Sequence, residues 1–177
     1  MIKTNSYTFS QLITKRLKLR RLLISDSEDV FSLRTDIEVN KFIERSTTRT
    51  DKNGEEFVKR INKSCADNNV YYWVISLHET PKLIGTICLW NFREDNTVAE
   101  VGYDLFTDYQ GKGIMTEALN TVLNFGFNIA GFKVIEAFTH KDNKASTKLL
   151  NKNGFEEVKN RADSENVNNI IFVKQNA

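Results

Sequence analysis

Histidine and cysteine are scarce in this chain, with two of each in 177 residues. His78 and His140 leave little material for a histidine-based zinc site or a Ser-His-Asp triad. Cys65 and Cys88 form no Cys-x-x-Cys pair and neither lies near a histidine, so they read as buried free thiols in a reducing compartment. Proline occurs once, at Pro81, and no linker, internal repeat or low-complexity stretch divides the chain. Neither sign of charge dominates: 25 Lys and Arg against 23 Asp and Glu is too even a balance for a nucleic-acid-binding surface. No run approaches the ~20 apolar residues of a membrane span, and the first thirty residues lack the apolar core of a signal peptide. The expectation is a cytoplasmic protein with no metal, no nucleic-acid partner and no membrane.

What the chain does have is the composition of one soluble domain, residues 1–177, with 40% hydrophobic and 27% charged residues. Its most informative stretch is Asp108-Tyr109-Gln110-Gly111-Lys112-Gly113-Ile114-Met115-Thr116-Glu117-Ala118-Leu119, a polar glycine-bearing turn. Ile114, Ala118, Val122, Phe125 and Ile129 then recur at steps of three and four, which predicts a helix with one buried face and an exposed N-terminus. Gly111 and Gly113 let the turn point its N–H groups at a common place, and the helix end adds unpaired N–H groups and a positive dipole end. Together they suit a phosphate. A P-loop is excluded because no stretch supplies Gly-x-x-x-x-Gly-Lys-Ser/Thr. The dinucleotide fingerprint is excluded because Thr116 stands where its third glycine belongs. A third pattern, Gln/Arg-x-x-Gly-x-Gly/Ala, is met by Gln110 and Gly113 and departs only at Met115.

In chain order, residues 1–14 are polar and irregular, an arm laid over the surface. Leu17-Lys18-Leu19-Arg20 alternates with period two and predicts a first strand. Ser25-Asp26-Ser27-Glu28 has capping-box spacing before an amphipathic helix through Val30, Phe31, Leu33 and Arg34. A second helix begins near Asn53, with Phe57, Val58, Ile61 and Cys65 inward. Three strands follow over 70–77, 83–90 and 98–106, separated by polar turns, so an antiparallel meander is expected. The helix after the glycine turn closes at Gly131. Residues 133–140 predict a strand, 143–153 a helix ended by Gly154, and 155–159 with 169–174 a last hairpin. A doubly wound dehydrogenase would alternate strand and helix throughout. The expected class is instead α/β of the α+β kind: a mixed, mostly antiparallel sheet with one central βαβ unit and flanking helices.

The turn resembles the acetyl-CoA loop of the GNAT N-acetyltransferase superfamily. Gly-Lys-Gly-Ile-Met-Thr-Glu-Ala is similar more narrowly to the branch that acetylates ribosomal-protein N-termini, where methionine is common at the last position. Lys15-Arg16-Leu17-Lys18-Leu19-Arg20 resembles that branch's opening strand, Ala99-Glu100-Val101-Gly102-Tyr103 its central strand, and His140-Lys141-Asp142-Asn143-Lys144-Ala145-Ser146 the approach to its penultimate helix. Asn153-Gly154-Phe155 matches the exit from that helix, so the resemblance spans roughly 15–160 in order.

The resemblance implies the GNAT fold and acetyl-CoA as cosubstrate. It implies that the strands ending near Phe106 and His140 splay apart around the pantetheine arm, with main-chain groups of Phe106 and Thr107 bonding it as an added strand would. N–H groups from Gln110, Gly111, Lys112, Gly113, Ile114 and Met115 would hold the pyrophosphate. Lys112 either adds charge or is simply solvated, and Lys144, Lys148 and Lys152 either reach the 3′-phosphate or form an exposed stripe. Asn143 is a helix cap, a cofactor contact, or both. Glu100 is the implied general base, directly or through water, against the alternative of a salt-bridged carboxylate in the sheet. Alternation puts Glu100 on one face with Gly102 and Asp104, opposite Val101, Tyr103 and Leu105. A backbone N–H near a bulge in this strand would stabilise the oxyanion.

Many members protonate the leaving thiolate with a tyrosine where this chain has Leu150, and the N-terminal-acetylating branch has a serine at Ser146. Ser146 is therefore the candidate donor, or else a first-turn serine satisfying helix N–H groups. With no cysteine in a recognised motif, direct attack in a ternary complex is expected rather than an acetyl-enzyme. The implied acceptor is a ribosomal or other protein N-terminal amine. The runner-up is a polyamine or other small amine, for which Asp26, Glu28, Asp29, Asp36, Glu38 and Glu44 would have to converge around the 36–51 connection. An acetyl-CoA-binding sensor without turnover is the reading from another class, and a homodimer is suggested by analogy alone.

Overall fold

The computed structural model describes residues 10–43 and 53–176. Their elements are β1 (Leu12–Ile13), β2 (Leu17–Arg20), α1 (Ser27–Thr35), α2 (Gly54–Ala66), β3 (Tyr71–Leu77), β4 (Gly85–Trp90), β5 (Val98–Leu105), α3 (Ile114–Asn128), β6 (Val134–His140), α4 (Lys144–Lys152), β7 (Glu156–Glu157) and β8 (Asn169–Gln175). The strands form one sheet in the order β1-β2-β3-β4-β5-β6-β8-β7. Only β5 and β6 pair in parallel, and α3 makes the connection between them, so the meander and the single βαβ unit form as expected.

Period-two alternation sends each strand's side chains to two different cores. Trp73 and Ile75 on β3, Ile87 and Leu89 on β4 and Val101 on β5 pack in one cluster with Ala118, Val122 and Phe125 of α3 and Leu150 of α4. Tyr72 and Val74 face the other way, into a cluster with Val30 and Leu33 of α1 and Phe57, Val58 and Ile61 of α2. Burying both faces of β3 is what its near-continuous apolar run demands. Asn53 caps α2 by accepting from the Glu56 N–H at 3.0 Å. Gly131 and Gly154 follow α3 and α4 with φ of +83° and +75°.

Four local expectations change. Within the N-terminal arm, residues 12 and 13 add a short strand to β2, too brief to show a period; residues 1–9 lie outside the described residues. The capping box does not form. Ile24–Asp26 is a 3-10 turn, Ser27 begins α1, and the Asp26 carboxylate is committed elsewhere: it takes both Arg20 Nη1 and Nη2 at 2.8 Å and the Leu23 N–H at 2.8 Å. With α1 starting at Ser27, Ser25 and Glu28 no longer stand at the N-cap and N3 positions the box requires. Phe31 also points outward, 42% exposed. Cys65 and Cys88 are free and half-buried rather than fully buried.

The Arg20–Asp26 pair fixes how α1 meets the sheet, with side chains only 11% and 6% exposed. Arg20 also donates to the Pro81 and Arg21 carbonyls, while its Nε has no partner. Asp26→Ala should strand a buried cation and cost roughly 3–5 kcal/mol. Urea unfolding at neutral pH checks this as a lower midpoint at unchanged slope; a loss below about 1 kcal/mol would mean the guanidinium escapes to water.

Candidate active site

β5 and β6 share only three register pairs, Val98 with Val134, Ala99 with Ile135 and Glu100 with Glu136. Beyond them β5 continues with β4 to Leu105, and β6 continues with β8 to His140. The two central strands therefore part, leaving the inward-facing main-chain groups of 101–105 and 137–140 without a strand partner. Such groups are unfavourable when dry and well suited to an extended ligand. At the end of β5 the Phe106 N–H is already given to the Ile84 carbonyl at 3.0 Å, and the Phe106 carbonyl accepts from Tyr109 at 2.9 Å. What Phe106 can still offer is its second carbonyl lone pair. Thr107 keeps its N–H, its carbonyl being occupied by the Gln110 N–H.

The glycine turn follows at once. Gly111 and Gly113 have φ of +71° and +73°, and Gly113 is the N-cap residue of α3. A Cβ on Gly111 would meet nothing within 4 Å, so the backbone angle rather than crowding requires glycine there. Gln110 spends its N–H on Thr107 and its side-chain amide on the Leu105 carbonyl at 2.9 Å, so it shapes the turn from within. The N–H groups of Gly111, Lys112, Gly113, Ile114 and Met115 have no acceptor among the described residues. Lys112 Nζ lies over the Tyr109 ring, 5.9 Å from its centroid, rather than over the turn. The cation beside the turn is Arg16, which sequence reading left without a role: its Nη1 donates to the Lys112 carbonyl at 2.9 Å.

Glu100 stands at the apex where the strands part, on the sheet face opposite Val101 and Leu105. It accepts from Asn91 Nδ2 at 3.2 Å. Its neighbour Glu136 is the salt-bridged carboxylate of the pair, holding Arg161 at 2.7 and 2.8 Å and Arg93 at 3.1 Å; no described cation pairs with Glu100. Burial pushes the Glu100 carboxyl up to about 7, with Asp163, Glu136 and Glu165 adding to the shift and Asn91 opposing it. A carboxyl poised there can take and release a proton near neutral pH. A pocket of about 690 Å³ gives access to it, walled by Asn91, Phe92, Arg93, Val98 and Glu136. The expected bulge is absent, because β5 keeps one-to-one register with β4 from Trp90–Glu100 to Gly85–Leu105. The strand's free main-chain groups come from its divergence from β6 instead.

On the other face, Ser146 is 8% exposed and its Oγ lies 2.7 Å from the Tyr103 hydroxyl. Asn143 caps α4 by accepting from the Ser146 N–H at 3.1 Å, which frees the serine hydroxyl from that duty. Burial pushes the Tyr103 phenol up to about 12, so this second hydroxyl, which sequence reading placed only in the core, keeps its proton. Leu150 lies one turn further along α4, fully buried. Lys144, Lys148 and Lys152 are exposed, and Lys144 Nζ bonds the Lys141 carbonyl at 3.1 Å. Phe42 stacks on His140 with centroids 5.5 Å apart, bringing the described part of the 36–51 connection to the end of β6. Residues 44–52, including Glu44, lie outside the described residues. The other carboxylates proposed for a polyamine are largely committed: Asp26 to Arg20, Asp36 to the Val39 N–H, and Asp29 lies 3.8 Å from Lys82. Among the described residues no group of His, Cys, Asp and Glu is arranged to hold a metal, and no helix is long and apolar enough to cross a membrane.

Residues 16–156 match the acetyltransferase (GNAT) domain family. An N-acetyltransferase of Bacillus licheniformis, p20, itself uncharacterised, is 30% identical over 145 residues, covering 82% of each chain. Among solved structures, the ribosomal-protein-S5-alanine acetyltransferase of Vibrio fischeri superposes with a TM-score of 0.75 at 24% identity, over 94% of this chain and 97% of that one. A ribosomal L7/L12 α-N-protein acetyltransferase in complex with coenzyme A gives 0.73 at 17% identity, over 93% and 96%. At these identities the structural likenesses show the shared fold.

Two outcomes follow from the geometry. Gly113→Ala forces an L side chain into the left-handed region at a cost of roughly 1–2 kcal/mol; a lowered melting temperature with weakened coenzyme A binding by calorimetry is the expected result. For Glu100, the folded-state pKa of about 7 lies above the ordinary 4.5. The carboxyl therefore favours folding fully below 4.5, and that contribution is lost as pH rises toward 7. Glu100→Gln should match the parent at pH 4 and exceed it at pH 8 by on the order of 2 kcal/mol in denaturant unfolding.

Proposed function

The chain belongs to the GNAT acetyltransferase family and is an N-acetyltransferase, and we propose that it moves the acetyl group of acetyl-CoA to a protein N-terminal amine by direct attack in a ternary complex. The observation that carries this reading is the parting of β5 from β6 with Glu100 at its apex and the free N–H groups of the glycine turn at its mouth. The acyl donor's arm would lie between the strands and its diphosphate over the turn. The acceptor would approach on the Glu100 face, where the Phe42–His140 contact and the pocket beside Asn91 meet the wedge.

An amine arrives as an ammonium ion and must lose a proton before its nitrogen can attack. Glu100, directly or through one water, takes that proton. Nitrogen bonds to the thioester carbon, and the carbonyl oxygen becomes an oxyanion that accepts from the unpaired strand N–H groups. The C–S bond then breaks with its electron pair on sulfur. Ser146, backed by Tyr103, donates its proton to that sulfur and is reprotonated from solvent, the nitrogen sheds its second proton to water as the C–S bond breaks, and the products are the N-acetyl amide and the free thiol. A protein terminus is favoured over a polyamine because three of the carboxylates a polyamine would need, Asp26, Asp36 and Asp29, already face Arg20, the Val39 N–H and Lys82, and because structural neighbours include a ribosomal-protein-S5-alanine acetyltransferase and a ribosomal L7/L12 α-N-protein acetyltransferase.

The test is acetyl-CoA-dependent thiol release with N-terminal peptides, polyamines and aminoglycosides as acceptors. Release with peptides alone is expected, and Glu100→Gln should lower kcat by roughly 10²- to 10⁴-fold with acetyl-CoA binding retained. The parent's kcat/KM should rise with pH through about 7, as Glu100 loses its proton. Release with polyamines alone would reassign the acceptor, and acetyl-CoA binding without release on any acceptor would point to a sensor.

A further inference from the structure

Two stretches that sequence comparison treats separately meet at the glycine turn. Glu117 in the first turn of α3 receives three hydrogen bonds from 101 or more residues upstream: Thr14 Oγ1 at 2.5 Å and the Arg16 N–H at 2.9 Å on Oε1, and Arg16 Nε at 2.6 Å on Oε2. Three of the roughly four acceptor sites of its carboxylate are thereby filled, and the guanidinium it holds is aimed by a rigid fork. The next nitrogen of that fork, Nη1, donates to the Lys112 carbonyl at 2.9 Å. Nη2 stands 3.5 Å from where a Cβ on Gly113 would lie.

The carbonyl that Arg16 holds belongs to the peptide linking Lys112 to Gly113. In a trans peptide the C=O and N–H point in opposite directions, so holding the Lys112 carbonyl on the Arg16 side turns the Gly113 N–H to the other side. This peptide is free to flip unless something holds it: Gly113 sits at φ +73° and glycine occupies negative φ about as readily. A flipped peptide would present a carbonyl oxygen, rather than an N–H, to an anion on that side. We propose that Arg16, anchored by Glu117, is a positioning residue that locks the Lys112–Gly113 peptide with its N–H toward the diphosphate of the acyl donor. The inference rests on the acetyl-CoA reading above. It makes the opening strand part of the cofactor site, and it gives Glu117, an acid beside an anion site, a reason to be there: without its anchor the guanidinium has nothing to fix its direction.

The test compares Arg16→Gln and Glu117→Gln with the parent, using coenzyme A in calorimetry and acetyl-CoA or acetyl-pantetheine, which lacks the diphosphate, in thiol release. Both variants should bind coenzyme A roughly tenfold more weakly and raise KM for acetyl-CoA with kcat little changed. Turnover of acetyl-pantetheine should stay at the parent's level. Opposite effects, with Arg16→Gln weakening and Glu117→Gln tightening coenzyme A, would overturn the proposal in favour of direct charge contact by Arg16. Equal losses with both donors would overturn it in favour of a general brace of the fold. Should Arg16→Gln fail to fold, Arg16→Lys, which keeps the charge but not the fork, is expected to show the same split between donors, and parity with the parent would overturn the lock. A parent that binds no coenzyme A would defeat the acetyl-CoA reading itself, a result separable from any of these.

Discussion

Everything functional in this molecule depends on two parallel strands that stop pairing after three residues. A sheet normally satisfies each strand on both sides. Here β5 keeps its ladder with β4 and β6 keeps its ladder with β8, and the ladder they share ends at Glu100 and Glu136. The unsatisfied edges so created lie inside the sheet rather than at its rim, and they are flanked on both faces by packed helices. An extended ligand can complete them without asking for particular side chains. In the proposed reading, loops and helix ends then need only supply what backbone groups cannot: a base, a hydroxyl and an anion site.

The last shared register pair shows how position and partners divide labour between like residues. Glu100 and Glu136 occupy equivalent places on adjacent strands. Two arginines neutralise Glu136, whereas burial, with acidic neighbours adding to it and the Asn91 amide opposing it, keeps the proton affinity of Glu100 high. Across the sheet, Tyr103 and Ser146 bring two hydroxyls together from β5 and α4. Leu150 is filled into the core. The hydroxyl chemistry on that face comes from a residue pair that no single element contains.

Much of this was legible in the chain. Period-two alternation assigned Glu100 to its sheet face and Val101 and Leu105 to the core, and the start of α2 near Asn53, the Asn143 cap and the glycines closing α3 and α4 followed from local backbone demands. The failures were local rules overruled from a distance. The Ser25–Glu28 capping box gave way to a 3-10 turn whose Asp26 is held by Arg20 from the neighbouring strand. Lys112 offered charge beside the turn but settled over Tyr109, and Arg16 took the position next to the Lys112 carbonyl. The oxyanion-binding N–H groups were expected from a bulge, yet β5 is regular against β4 and opens only against β6.

By itself the sequence determined the order of the main elements, which faces are apolar and where the left-handed glycines fall. Those are properties of neighbouring residues, set by side-chain period and backbone sterics, and they survive without knowledge of the rest of the chain. Only the tertiary structure decided which carboxylate is ion-paired and which is held near neutral pH, which cation stands at the glycine turn, and which hydroxyls meet. Electrostatics and hydrogen bonding depend on distance in space rather than along the chain, and here partners as far apart as Arg16 and Glu117, or Tyr103 and Ser146, are brought within 3 Å only after the sheet has closed around α3 and α4.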